Sequence, residues 1–85
     1  MSPAPERRRL VYGPRPVVVR VDGRGRPALV AGRRVASIAE EWLVEDGWWN
    51  ERPLRRHYFE AVLEGGGDAI VFRDAESGEW FRQRA

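Results

Sequence analysis

The chain has 85 residues, of which 15 are arginine, 13 are acidic and one is histidine, with no lysine and no cysteine, for a formal net charge of +2. That length gives room for one domain, which buries only about 60% of its unfolded surface, and the lack of cysteine removes disulfides and thiolate metal sites. No apolar run approaches the roughly 20 residues of a membrane span and the N-terminus lacks the apolar stretch of a signal peptide, so a soluble, cytoplasmic protein is expected.

The charges are unevenly spread. Residues 1–34 hold nine arginines against Glu6 and Asp22, a net of +7, whereas residues 35–85 hold six arginines against eleven acids, a net of −5. Such asymmetry fits either a basic arm that meets a polyanion or two halves that neutralise each other on folding, and the second suits so short a chain. Arginine binds carboxylate and phosphate bidentately and stacks on aromatic rings, although a GC-rich genome yields the same lysine-free composition.

In chain order, residues 1–14 read as a disordered or extended basic arm: Pro3 and Pro5 deny it helix and Arg7-Arg8-Arg9 gives it charge. Residues 15–85 read as a single small β domain. Val17, Val19 and Val21 alternate with Val18, Arg20 and Asp22 as a strand, and Asp22-Gly23-Arg24-Gly25 turns the chain into a second strand through Ala28-Leu29-Val30-Ala31. These glycines lack the Lys-Ser/Thr of a phosphate-binding loop. Val35 to Glu45 is ambiguous, because Val35, Ile38, Ala39, Trp42 and Leu43 form a helical stripe while a bulge near Glu40-Glu41 would restore strand alternation. Strand is the reading preferred.

Asp46-Gly47 then turns, Trp48-Trp49 follows, and Asn50-Glu51-Arg52-Pro53 forms a loop. Leu54 to Leu63 alternates as a strand, Gly65-Gly66-Gly67-Asp68 closes a hairpin, Ala69 to Arg73 returns, Asp74 to Gly78 turns, and Glu79 to Arg84 is the last strand. The expected fold is all-β: a small antiparallel barrel or strongly bent, SH3-like sheet of five to six short strands.

Catalytic chemistry finds little to work with. His57 is the only histidine, so multi-histidine and Cys-His chemistry are excluded. Ser37 is mid-strand and Ser77 lies in a turn, and neither carries a nucleophile signature. The pairs Glu40-Glu41 and Glu45-Asp46 point to opposite faces of a strand. The expectation is a non-enzymatic protein without metal or cofactor.

What remains is binding. Eight of the nine aromatic residues fall between Trp42 and Phe81, with arginines among them. Trp42, Phe59, Phe72 and Phe81 are expected to fill the barrel, and Trp48, Trp49, Arg55, Arg56, Tyr58, Trp80 and Arg82 to form a Trp/Arg surface. Hot spots of protein interfaces are enriched in these residue types, and the same types stack bases and follow phosphates.

The run Gly47-Trp48-Trp49, Arg55-Arg56-His57-Tyr58-Phe59, Val71-Phe72-Arg73-Asp74 and Gly78-Glu79-Trp80-Phe81 resembles a small uncharacterised domain that occurs alone in actinobacterial and Thermus-type proteins. It is similar, too, to the C-terminal tail of ImuB-like proteins, the Y-family polymerase relatives that work in translesion mutagenesis. His57-Tyr58-Phe59 departs from the Asp-Tyr-Tyr of those tails, and Arg82-Gln83-Arg84 from their His-Gly-containing ending. The resemblance implies a docking module of DNA repair or translesion synthesis with a replication or repair protein as partner. Single-stranded nucleic acid on the same surface is the alternative, and self-association through a strand edge is a third arrangement.

Overall fold

Seven strands form one antiparallel sheet in the computed structural model, which describes residues 13–47, 51 and 53–83. They are β1 (Arg15–Pro16), β2 (Val19–Val21), β3 (Pro27–Val30), β4 (Arg33–Asp46), β5 (Leu54–Leu63), β6 (Asp68–Asp74) and β7 (Trp80–Gln83), in the spatial order β1-β7-β6-β5-β4-β3-β2. β1 and β2 stand at opposite ends of that order, yet only Val17 and Val18 separate them along the chain. One extended segment therefore serves both ends of the curled sheet. Val17 N–H donates to the Trp80 carbonyl at 3.1 Å and Ala31 N–H donates to the Val18 carbonyl at 2.9 Å, which carries the pairing across the break. The expected bent, barrel-like all-β fold is what forms, and the seventh strand arises because the first one splits in two.

β4 resolves the ambiguity of the sequence. Its pairing with β5 slips by one residue between Val35 and Ser37 and again between Ile38 and Glu40, so Ala36 and Ala39 are the extra residues of two bulges. Each bulge stretches the inward spacing from two residues to three, and Val35, Ile38 and Glu41 consequently share the inner face. The helical stripe is thus the imprint of a doubly bulged strand. The irregularity sits just before the Glu40-Glu41 position expected for it, and from Glu40 to Asp46 the pairing is regular.

The inner face holds the core: Val30, Phe59, Ala61, Leu63, Ala69 and Val71, each at most 3% exposed, with Val17, Val19, Val35, Ile38 and Trp80 packed against it. The outer face holds a second apolar row. Trp42, Tyr58, Phe72 and Phe81 lie opposite one another on β4, β5, β6 and β7, with ring centroids 5.3, 4.8 and 5.3 Å apart along the row. Cross-strand aromatic pairs of this kind are worth about 0.5–1.5 kcal/mol each beyond their buried area. Three of the four aromatics expected to fill the barrel are therefore on its outside, and only Phe59 is in the core. Adjacent strand residues face opposite ways, so each of the doublets Tyr58-Phe59 and Trp80-Phe81 must put one ring inside. The register Tyr58↔Phe72↔Phe81 selects Phe59 and Trp80 for the interior.

Arg56, on the outer face, lies with its guanidinium carbon 4.4 Å from the Phe72 ring centroid and donates to the Tyr58 hydroxyl at 3.2 Å. Its buried Nε has no hydrogen-bond partner among the described residues. Phe72, only 1% exposed on this face, lies beneath Arg56 and beside Tyr58 and Phe81. The opposed charges of the two parts of the chain meet only once as an ion pair among the described residues, at Arg26–Glu41. Residues 1–12 of the expected arm lie outside the described residues.

The β3–β4 hairpin turns through Ala31 and Gly32, with φ of 49° and 82°, between the paired residues Val30 and Arg33. Two left-handed residues make the turn whose twist matches the flanking strands, and asparagine tolerates its first position better than alanine. Ala31→Asn is accordingly expected to stabilise the domain by about 0.5–1 kcal/mol, read as a rise in the urea midpoint at unchanged slope; a fall in the midpoint would show that the turn does not need a left-handed residue there. No helix of the described residues is long and apolar enough to cross a membrane.

Candidate functional site

The inner face changes character along β5. Leu63, Ala61 and Phe59 are buried, but His57 beyond them opens into a cleft of about 370 Å³ at the mouth of the curled sheet. Phe59 and Trp80 form its floor, their ring centroids 5.7 Å apart, and the His57 ring stacks on Phe59 at 4.4 Å. Arg24 and Arg26 reach it from the β2–β3 turn, and Arg73, opposite both His57 and Trp80 in the register, reaches it from β6. Glu41 is the only acid among the described residues on the lining.

Two turns aim these arginines, and each is organised by an aspartate. Asp22 accepts from the backbone N–H groups of Arg24 at 2.8 Å and Arg26 at 3.0 Å, while its own N–H donates to the Arg26 carbonyl at 2.8 Å. The N–H of Arg26 first, and that of Arg24 next, hold the Asp22 carboxyl below its ordinary value of 3.8. Asp74 does the same at the end of β6, accepting from the N–H of Ser77 at 3.0 Å and of Glu76 at 2.8 Å. Its carboxyl is likewise lowered, chiefly by the Ser77 N–H, with burial opposing and the Glu76 N–H and Arg56 adding. Gly78, at φ 76°, lets this turn pass under Arg73: a Cβ there would lie 3.3 Å from the guanidinium.

Glu41 divides its two oxygens between neighbours. Oε1 lies 3.3 Å from Arg26 Nη2, and Oε2 lies 2.8 Å from His57 Nε2. Among the described residues, Arg24 and Arg73 have no carboxylate within ion-pair distance. The cleft therefore presents, among the described residues, two guanidinium groups without an ion-pair partner beside a partly buried tryptophan. A histidine oriented by a glutamate is a common base pairing, but no hydroxyl side chain among the described residues lines the cleft to serve as its nucleophile. No cluster among the described residues has the three or more acidic, histidine or cysteine ligands that a metal would take.

The residues nominated from sequence do not form one surface. Arg56 and Tyr58 point outward, whereas Arg55 and Trp80 point inward. Arg55 is exposed and paired with Glu45 at 3.2 Å. Trp80 packs against the core as well as lining the cleft, so it is partly structural. Arg82 is exposed opposite Val71, beyond the cleft. Trp48 and Trp49 lie outside the described residues. Sequence reasoning missed Arg24, Arg26, Glu41 and Arg73. The signal for them was present: each arginine sits in or next to an aspartate-led turn, and strand alternation already places His57 with Phe59.

No family model, curated protein or solved structure matches the chain.

Proposed function

We propose that this chain is a non-catalytic docking module whose mouth cleft holds an acidic segment of a partner protein. The observation that carries the reading is the pair of guanidinium groups, Arg24 and Arg73, which have no carboxylate within ion-pair distance among the described residues and share the cleft with half-buried Trp80. Arginine forks match carboxylates bidentately, and an aromatic floor suits an apolar side chain beside the acid. A volume of about 370 Å³ fits one or two side chains.

Single-stranded nucleic acid is the second reading, favoured by the same juxtaposition of arginine and tryptophan: a base on Trp80 with its phosphate on Arg24 or Arg73. The surroundings favour a peptide. The described part of β4 and of the β6–β7 turn exposes Glu45, Glu76 and Glu79, which do not suit a phosphate backbone. The assignment to DNA repair or translesion synthesis rests on the sequence resemblance alone and defines which partners to try first.

Tryptophan fluorescence tests the reading directly. A blocked peptide of glutamates around one phenylalanine is expected to quench at low salt, and Arg73→Glu to weaken it at least about tenfold. Trp80→Phe should remove the signal while keeping most of the packing. An oligothymidylate that binds more tightly than the peptide and loses affinity steeply between about 50 and 200 mM salt would shift the function to nucleic acid. Absence of binding by either probe would remove the cleft as the site.

A further inference from the structure

β4 is fourteen residues long, yet β3 pairs with it only through Leu29↔Arg34 and Val30↔Arg33. Beyond Arg34 no strand among the described residues lies on that side of β4, while β5 pairs with it on the other side as far as Asp46. Pro27, the first residue of β3, cannot donate to a longer ladder, and the two bulges interrupt the edge of β4, which beyond them meets the β2–β3 turn through the Arg26–Glu41 ion pair. The part of the edge near the bulges is thereby protected in the usual way, but Glu40 to Asp46 is a regular run whose alternate N–H and C=O groups face outward.

The side chains of that run say what fits it. On the outer face Glu40, Trp42, Val44 and Asp46 follow one another, and Trp42 is the last ring of the row Phe81, Phe72, Tyr58, Trp42. One side of that row is open at the edge: Trp42 is 36% exposed, and Leu43 on the inner face is 68% exposed. The next position in the row belongs to a strand that is not part of this sheet. Glu40 lies directly opposite Glu60 on the same face, and neither makes an ion pair among the described residues. Two carboxylates so placed repel each other, and a cation beside Trp42 would relieve that repulsion while resting on the indole. A second copy of the chain is a poor occupant, because pairing β4 with itself lines one ladder with the carboxylates of both copies.

We propose that the Glu40–Asp46 edge of β4 takes up an extended basic segment of a partner protein as an added strand, with an arginine or lysine next to Trp42 in the cross-strand row. The main-chain ladder supplies affinity, and the alternating side chains on the outer face supply the preference for basic residues. Glu41 of this run also lines the cleft, but the outer-face residues Glu40, Trp42, Val44 and Asp46 do not, so substitutions on the outer face test this reading apart from the first.

A short blocked peptide of alternating arginine and valine tests it, in fluorescence anisotropy and in amide exchange of the unmodified protein. The peptide is expected to slow exchange at the outward amides of residues 40–46, and two versions methylated on alternate nitrogens should differ at least about tenfold in affinity, because only one set of N–H groups faces β4. Trp42→Ala and Glu40→Gln should each weaken binding severalfold, while Arg73→Glu should not. Equal binding by both methylated versions, unchanged exchange over residues 40–46, or a stable dimer of the free protein built on this edge would each overturn the proposal. The methylated peptides keep the test decisive if Trp42→Ala does not fold.

Discussion

Phe59→Ala is expected to leave the domain at or near the edge of unfolding. Phe59 is 2% exposed, sits in the core between Val71 opposite it on β6 and the Trp80 ring, and carries the stacked His57. Truncating a buried phenylalanine removes its transfer free energy and leaves a cavity that the neighbours fill only in part, at about 3–5 kcal/mol. A domain of this size has a total stability of about 4–13 kcal/mol, so the loss takes up a large share of it. Urea unfolding followed by far-ultraviolet dichroism measures the change. A cost below about 1 kcal/mol would show that the barrel interior does not close around this ring. The cleft should fail together with the core, because its floor is the same ring.

The second large effect is expected on the other face. Phe72→Ala should cost about 3–5 kcal/mol, as a core substitution does, although Phe72 points away from the core cluster. It is 1% exposed, between Tyr58 and Phe81, with the Arg56 guanidinium over it. Removing it takes away three contacts at once and leaves the already unpartnered Arg56 Nε in a larger void. Trp42→Ala, at the open end of the same row, should cost only about 1 kcal/mol, because its ring keeps one exposed side and a single stacking neighbour. Denaturant midpoints of the two variants separate a continuous outer layer from isolated surface rings. Equal costs would mean that the row does not act as a packed layer.

These two expectations also mark how far the sequence could be read. The strands from Leu54 to Leu63 and from Asp68 to Asp74 were legible because strict alternation runs between glycine-rich or aspartate-led turns. The Val35 to Glu45 segment was legible only in part: strand is the reading preferred, but two bulges counterfeit helical spacing and only the pairing partner reveals which residues are extra. The binding residues were legible as types and not as a set. Arg55 and Arg56 are neighbours in sequence, and for that reason they stand on opposite faces. Arg24 and Arg73 are 49 positions apart, and the curl of the sheet brings both to one cleft.

By itself the sequence determined an all-β chain without cysteine, with one histidine and an excess of tryptophan and arginine. It did so because strand periodicity and turn chemistry are local properties. Only the tertiary structure decided which ring of each aromatic doublet lies inside, that Trp80 belongs to the interior and Trp42 to the outside, and that two arginines at the mouth lack a carboxylate among the described residues. Those are consequences of register. A shift of one residue reverses every face, and no run of residues read alone specifies the strand it will pair with.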